Sequence, residues 1–192
     1  LPVSERSLTA EDTGSYPEGV ANEEANRCFN CGCLAVNSSD VATMLVAYRA
    51  TVKTNMRTLS AAELLASRTR IKDVLKTGEI VTEIIVPNQG EGTVAAYDKY
   101  RIRDSVDFAV TAVASVYTVK DGVVSDASIV LGACAPVPHE ATAAEEFITG
   151  KAPTKENAKK MGELALLGSI PLEHNAYKID MTRVMVERSL EF

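Results

Sequence analysis

The spacing of apolar residues changes along the chain, and each spacing predicts a different kind of element. Residues 1–26 are rich in Glu, Ser, Thr, Gly and Pro, which indicates a linker or the tail of a preceding domain. After the turn NSSD the period becomes helical and predicts an amphipathic helix over about 39–48. Its apolar side carries Val41, Met44, Leu45 and Tyr48. Short strands are predicted near 50–52 and 57–59, followed by a short helix in SAAELLAS.

From Ile80 the pattern becomes strand-like. The string EIVTEIIVP ends at Pro87, and the stretch 93–103 is predicted to be extended. Two further β-rich runs flank the dipeptide Asp121-Gly122, which is typical of a two-residue hairpin turn. The sequence therefore predicts three or four antiparallel strands between about 80 and 134.

After Pro138 the period becomes helical again. One helix is predicted to end at Gly150, a second is predicted to be capped by Thr154, and a third closes the chain. The apolar side of the last helix is predicted to hold Tyr177, Met181, Val184 and Met185, with Leu190 beyond them. Strands followed by helices predict an α+β fold, in which a C-terminal helical layer packs on one face of an antiparallel sheet.

Charge and hydropathy narrow the function classes. The net charge is −6 and there is no basic stripe, which argues against a nucleic-acid partner. The apolar runs are far shorter than the ~20 residues of a membrane span, so no membrane partner is expected. Three of the four cysteines lie within six residues, a spacing unlike a disulfide framework, so we expect a reducing, cytoplasmic compartment.

The cysteine cluster is the first candidate site. Cys28, Cys31 and Cys33 form the motif CxxCxC, whose thiolates suit zinc or an iron–sulfur cluster. A fourth ligand is needed, from Cys134 or from a preceding domain. The alternative is a set of free thiols at a domain junction.

Four strings in order carry a resemblance to a known family: GEIVTEIIVP, AAYDKYRIRDSVDFA, LGACAPVPHEA and NAYKIDMTRVMVERSL. Together they resemble the C-terminal domain of the FAD-binding subunit of molybdenum hydroxylases, the family of xanthine dehydrogenase and aerobic carbon monoxide dehydrogenase. The string AVNSSDVATMLVAYRATVKTNMRT resembles the end of that family's preceding FAD-binding domain. The resemblance implies a linker or tail at 1–33, a partial FAD-binding α/β subdomain at 34–77 and an α+β flavoprotein C-terminal domain at 78–192.

The resemblance also implies cofactor-binding residues. Asp40 would accept a hydrogen bond from a flavin ribityl hydroxyl, or it would serve only the helix N-terminus. Val81 would pack on the isoalloxazine ring, or belong to an ordinary sheet core. Lys99 and Arg103 would lie near the flavin and a pyridine nucleotide, or form exposed ion pairs with Asp98, Asp104 or Asp107.

A glycine-rich loop that could hold the FAD phosphates is not evident. The nearest string, QGEGT at 89–93, links two predicted strands and opens no helix, so we interpret it as a loop. The phosphate-binding half is expected elsewhere in a larger parent protein, or it is missing.

A second resemblance concerns the N-terminal string EEANRCFNCGC, which is similar to NAD(P)H oxidoreductases related to the small subunit of glutamate synthase. It implies a fusion to an NAD(P)H-oxidising domain. The sequence thus predicts a fragment of an FAD-dependent oxidoreductase that passes electrons between FAD and a pyridine nucleotide or a partner redox centre, such as molybdenum-cofactor and iron–sulfur subunits. No side chain is assigned as a catalytic acid or base, and the fragment alone is expected to be inactive. The alternative is a degenerate, flavin-free docking or dimerisation domain.

Overall fold

A computed structural model of the chain describes residues 40–66, 74–103 and 107–192. All of these residues lie in one structural unit that begins at Gly32. Within them the helices are α1 Asp40–Ala47, α2 Ala61–Leu65, α3 Thr142–Ile148, α4 Lys155–Ala165 and α5 Tyr177–Arg188. The strands are β1 Thr51–Thr54, β2 Thr58–Ser60, β3 Val81–Ile85, β4 Thr93–Tyr100, β5 Thr111–Lys120, β6 Val123–Gly132 and β7 His139–Glu140.

The larger sheet has the order β4-β5-β6-β7, and all of its pairs are antiparallel. Strands β5 and β6 form its centre and are joined by the two-residue turn Asp121-Gly122. Both turn residues have positive φ, 52° and 78°, as a type I′ hairpin requires. The predicted hairpin and the α+β class are therefore confirmed.

The smaller sheet has the order β2-β1-β3, and it differs from the sequence prediction. We expected the strand that ends at Pro87 to join the strands that follow it. Instead β3 pairs antiparallel with β1, which places Lys53 directly opposite Glu83, and their side chains form a 2.9 Å ion pair. A cross-strand pair of opposite charge favours this register. This pairing places β1 and β3 in one sheet, although the predicted domain boundary at residue 77 lies between them.

The larger sheet is covered on both faces, and the C-terminal helices α3, α4 and α5 pack on one of them, as predicted. Alternate residues of β5 point to opposite sides, and both sets are buried. Val113 and Tyr117 pack against α3, α4 and α5, whereas Ala114 and Val116 pack against α1, α2 and the smaller sheet. A strand that is apolar on both faces needs a cover on both, and α1 helps to supply the second one.

Helix α5 and its C-cap bury residues that hydropathy does not predict, although Leu190 is buried and Met185 packs against the core as predicted. Tyr177 is 53% exposed, whereas Thr182 and Ser189 are buried. Their hydroxyl groups find partners in β5, because the Thr182 and Thr111 oxygens lie 2.6 Å apart and the Ser189 and Tyr117 oxygens lie 2.7 Å apart. Buried hydroxyls that hydrogen-bond one another can occupy a core position. The apolar positions Met181 and Val184 are left half-buried.

Candidate functional site

The first residue of α1 is the centre of a cluster of polar side chains. The Asp40 carboxylate accepts a hydrogen bond of 2.5 Å from the Tyr97 hydroxyl and one of 2.8 Å from the Lys99 ammonium. The Asp40 side chain is 38% exposed and that of Lys99 is 19% exposed. The cluster is therefore partly shielded from water and remains reachable by a ligand.

The two strand residues reach Asp40 because they share one face of β4. Tyr97 and Lys99 are two positions apart, so both point to the side on which α1 lies. Their partners on β5 are Ala114 and Ala112, whose small side chains leave room for the helix. The sequence analysis missed Tyr97, although its period-two relation to Lys99 was a signal that could have identified it.

The electrostatics of the cluster favour an ionised carboxylate. Partial burial of Asp40 acts to raise its pKa, but the hydrogen bonds from Lys99 and Tyr97 and the charges of Lys99 and Arg101 outweigh it, so the pKa is lowered. Burial and the bond to Asp40 raise the pKa of Tyr97. The phenol therefore stays protonated as a donor, and the cluster is a carboxylate held by one neutral and one cationic donor.

The turn at the other end of α1 fixes the helix on the sheet. Arg49, with φ 53°, donates from both terminal nitrogens to the Asp126 carboxylate at 2.8 and 3.1 Å. It also donates to the Ala127 carbonyl oxygen at 3.1 Å. These contacts with β6 help to hold α1, and with it Asp40, in place.

Arg103 forms the ion pair that the sequence analysis left open. Its guanidinium donates to both oxygens of Asp107, at 2.9 and 3.1 Å. The hydrogen bonds from Arg103 are the main reason that the pKa of Asp107 is lowered to about 2. The Arg103 side chain is 70% exposed. Lys99, by contrast, pairs with Asp40 and, among the described residues, with neither Asp98 nor Asp107; Asp104 lies outside the described residues.

Val81 is half-buried at the start of β3 and packs against the core beneath α1.

Glu79, just before β3, is buried and accepts hydrogen bonds from the Arg57 guanidinium, the Lys76 backbone N–H and the Thr54 hydroxyl. The bonds from Arg57 and Lys76 are the main cause that lowers the pKa of Glu79 to about 2. This network ties the β1–β2 turn to the segment before β3.

The metal proposal falls mostly outside the described residues. Cys28, Cys31 and Cys33 lie there, and the described part of the chain holds no cluster of His, Cys, Asp and Glu able to bind a metal ion. Cys134, the proposed fourth ligand, is an exposed free thiol after β6.

The loop 89–92 has a packing role. Gly92 has φ +78°, and a Cβ at this position would lie 2.4 Å from the Val119 carbonyl oxygen. Gly92 also accepts a hydrogen bond of 2.9 Å from the Val119 N–H. Glycine is thus required for a tight turn against β5, which agrees with the interpretation of QGEGT as a loop and not a phosphate cradle.

The architecture is that of a flavoprotein domain in molybdenum-hydroxylase-like oxidoreductases. The sequence profile of the CO dehydrogenase flavoprotein C-terminal domain matches residues 95–191, just over half of the chain. The chain therefore belongs to the CO dehydrogenase flavoprotein C-terminal domain family. Lys99 and Arg103 lie inside the matched region, whereas Asp40 and Val81 precede it.

Solved structures agree with this assignment. A carbon monoxide dehydrogenase from Hydrogenophaga pseudoflava that lacks the Mo-pyranopterin moiety of its molybdenum cofactor is 30% identical, with a TM-score of 0.72 over 81% of this chain and 56% of that chain. Reconstituted CO dehydrogenase from Oligotropha carboxidovorans is 26% identical, with a TM-score of 0.71 over 83% and 59%. Quinoline 2-oxidoreductase from Pseudomonas putida 86, at 21% identity, shares the fold with a TM-score of 0.70 over 83% and 58%.

The chain thus spans between 56% and 59% of the length of these solved chains. No curated protein matches the sequence. In the described part of the chain, every helix is too short or too polar to cross a membrane.

Proposed function

We propose that the chain supplies one part of an FAD site in a flavin-dependent oxidoreductase, which passes electrons between FAD and a pyridine nucleotide or a partner redox centre. The observation that carries the proposal is the Asp40–Tyr97–Lys99 cluster, in a chain of this flavoprotein family. When bound, the flavin supplies the hydride and electron chemistry. The chain's residues bind and orient it.

The cluster suits the hydroxyl-bearing part of such a ligand. The ionised Asp40 carboxylate can accept a further hydrogen bond from a ribityl hydroxyl, since its two oxygens have about four lone-pair sites. The Lys99 ammonium has three donors, of which Asp40 uses one, so it can donate to a ligand oxygen as well. The partial exposure of both side chains leaves these positions open to a ligand.

The remaining roles extend this proposal. Val81 would offer an apolar surface to the isoalloxazine ring, and Arg103 would act near a nucleotide. Cys28, Cys31 and Cys33 would hold an iron–sulfur cluster or zinc in the parent protein. The partners would be an NAD(P)H-oxidising domain related to the small subunit of glutamate synthase, and molybdenum-cofactor and iron–sulfur subunits, in the cytoplasm.

A second candidate function is a flavin-free docking or dimerisation domain. It is favoured by the direct contact between Asp40 and Lys99, because the two charges neutralise each other with no ligand between them. It is also favoured by the packing role of Gly92, since the glycine loop nearest to a phosphate cradle is used inside the fold.

Flavin binding to the purified chain separates the two functions. We expect added FAD and riboflavin to bind with affinities within about threefold of each other, because a site that holds the ring and ribityl chain alone gains nothing from the phosphates. Lys99→Met should weaken both ligands about tenfold or more, as expected for the loss of a charged donor. Flavin fluorescence quenching measures each affinity.

Lys160→Met is the matched control. Lys160 also forms an ion pair, with Glu163 at 3.0 Å, but it lies on α4, which packs on the opposite face of the larger sheet. The Lys160→Met variant should bind flavin as the wild type does. A chain that binds neither FAD nor riboflavin, or a Lys99→Met variant that binds like the control, would reject the flavin proposal and leave the docking function.

A further inference from the structure

Helix α5 presents a second surface that the flavin proposal leaves unused. One side of the helix carries Asp180, Met181, Val184, Met185 and Arg188, here called the α5 stripe. Together with Tyr100, which is 50% exposed at the end of β4, these residues line an open groove of about 320 Å³. The three apolar members of the stripe are half-buried; Met185 also packs against the core, whereas Met181 and Val184 do not belong to that cluster.

The two charges at the ends of the stripe lack strong partners among the described residues. The Asp180 carboxylate lies 3.8 Å from the Arg183 guanidinium, beyond hydrogen-bonding distance, and its side chain is 82% exposed. Arg188 is exposed, and no carboxylate of the described residues lies within 4.0 Å of its guanidinium. The stripe thus combines an apolar centre with one available anion and one available cation.

We propose that the α5 stripe binds the α5 stripe of a second copy of this chain, with the two helices antiparallel across a twofold axis near Val184. Asp180 and Arg188 are equally far from Val184, four residues on either side, which is about 6 Å along a helix. In this arrangement Asp180 of each copy faces Arg188 of the other. A twofold interface requires such self-complementarity, and a stripe with like charges at both ends would not have it.

The chemistry of the centre agrees with a helical partner. Met181 and Met185 have flexible thioether side chains that adapt to an opposing apolar surface. The contact is small, so we expect a weak dimer with a dissociation constant in the micromolar range, as is usual for interfaces below about 1,200 Å². The inference is independent of flavin, because it involves neither Asp40 nor Lys99.

Sedimentation velocity of the 192-residue chain under reducing conditions tests the proposal. The wild type should pass from monomer to dimer between about 1 and 100 μM. Val184→Asp should raise the dissociation constant at least about tenfold, since two carboxylates would meet at the axis. Asp180→Arg alone and Arg188→Asp alone should each weaken the dimer, and the double charge reversal should restore it, because each pair is then attractive again.

Ile170→Asp is the matched control, since Ile170 is an apolar residue that is 87% exposed but lies outside the stripe. The Ile170→Asp variant should dimerise like the wild type. Circular dichroism of each variant separates loss of the dimer from loss of the fold. A wild-type chain that stays monomeric at the highest concentration overturns the proposal. So does a dimer that persists in folded Val184→Asp, or a double reversal that fails to restore association.

Discussion

Gly132→Ala tests how closely α1 packs on the sheet. Gly132 ends β6 directly beneath the first turn of α1. An added methyl carbon would lie 2.7 Å from the Thr43 hydroxyl oxygen and 3.3 Å from the Ala112 methyl carbon, whereas ordinary van der Waals contact begins at about 3.4 Å. Both neighbours are buried, so the helix must move outward by several tenths of an ångström.

The size of the effect follows from two opposing contributions. Overpacking a buried position typically costs about 1–3 kcal/mol. Replacing glycine by alanine within a strand recovers about 0.5–1 kcal/mol of backbone entropy. An approach of 2.7 Å to a buried neighbour places the overpacking cost in the upper part of its range, at about 2–3 kcal/mol. After the entropy gain we expect Gly132→Ala to lower the free energy of unfolding by about 1–2.5 kcal/mol, which urea denaturation resolves and which lowers the melting temperature by about 2–10 °C.

A double-mutant cycle identifies the cause. Thr43→Ala removes the hydroxyl oxygen and the methyl carbon that the new Cβ would meet. The double variant should therefore be less destabilised than the sum of the single variants, by at least about 0.5 kcal/mol. Gly90→Ala is the control, because a Cβ there meets nothing within 4 Å and its φ is not positive. Additive losses, or a Gly132→Ala variant as stable as Gly90→Ala, would refute the close-packing argument.

Two further predictions concern the polar groups that hold the fold together. The pKa of Glu79 falls from 4.5 to about 2 on folding, so its contribution to stability is complete above pH 4.5 and is lost as the pH falls toward 2. The Glu79→Gln variant should have a lower free energy of unfolding at neutral pH, and this free energy should fall less steeply as the pH is lowered, as measured by urea denaturation at a series of acid pH values. Equal dependence on pH in the variant and the wild type would contradict this. Tyr117→Phe removes the 2.7 Å bond to Ser189 and should cost about 1–2 kcal/mol by the same assay, whereas unchanged stability would show that this bond is not needed.

Local signals in the sequence predicted most of the elements correctly. The Asp121-Gly122 turn gave the hairpin because positive φ at both positions leaves few alternatives. Thr154 caps α4, as predicted, by accepting a bond from the Asn157 N–H at 3.2 Å. The turn and the helix cap each involve residues only a few positions apart, which is why a single sequence is sufficient to find them.

Non-local features were harder to predict. The pairing of β3 with β1 depends on a choice between two neighbouring strands, and the apolar pattern of β3 is compatible with both. The burial of Thr182 and Ser189 was not predicted because both residues are polar, yet their hydrogen-bond partners Thr111 and Tyr117 make them suitable for the core. Such pairs are identified only once the strands and helices have been assembled.

The candidate site illustrates the same limit and gives it a chemical consequence. Asp40 and Lys99 were each predicted as separate ligand contacts, but they are 59 positions apart and meet each other in the fold. A ligand that breaks the hydrogen bond from Lys99 to Asp40 must therefore itself donate a hydrogen bond to the Asp40 carboxylate. The pyrophosphate linkage of a dinucleotide cannot do so, because its fully ionised phosphates offer only acceptors, whereas a hydroxyl both donates and accepts. The paired arrangement thus favours a ligand rich in hydroxyl groups at this position, as the ribityl chain of a flavin is, and it disfavours the pyrophosphate.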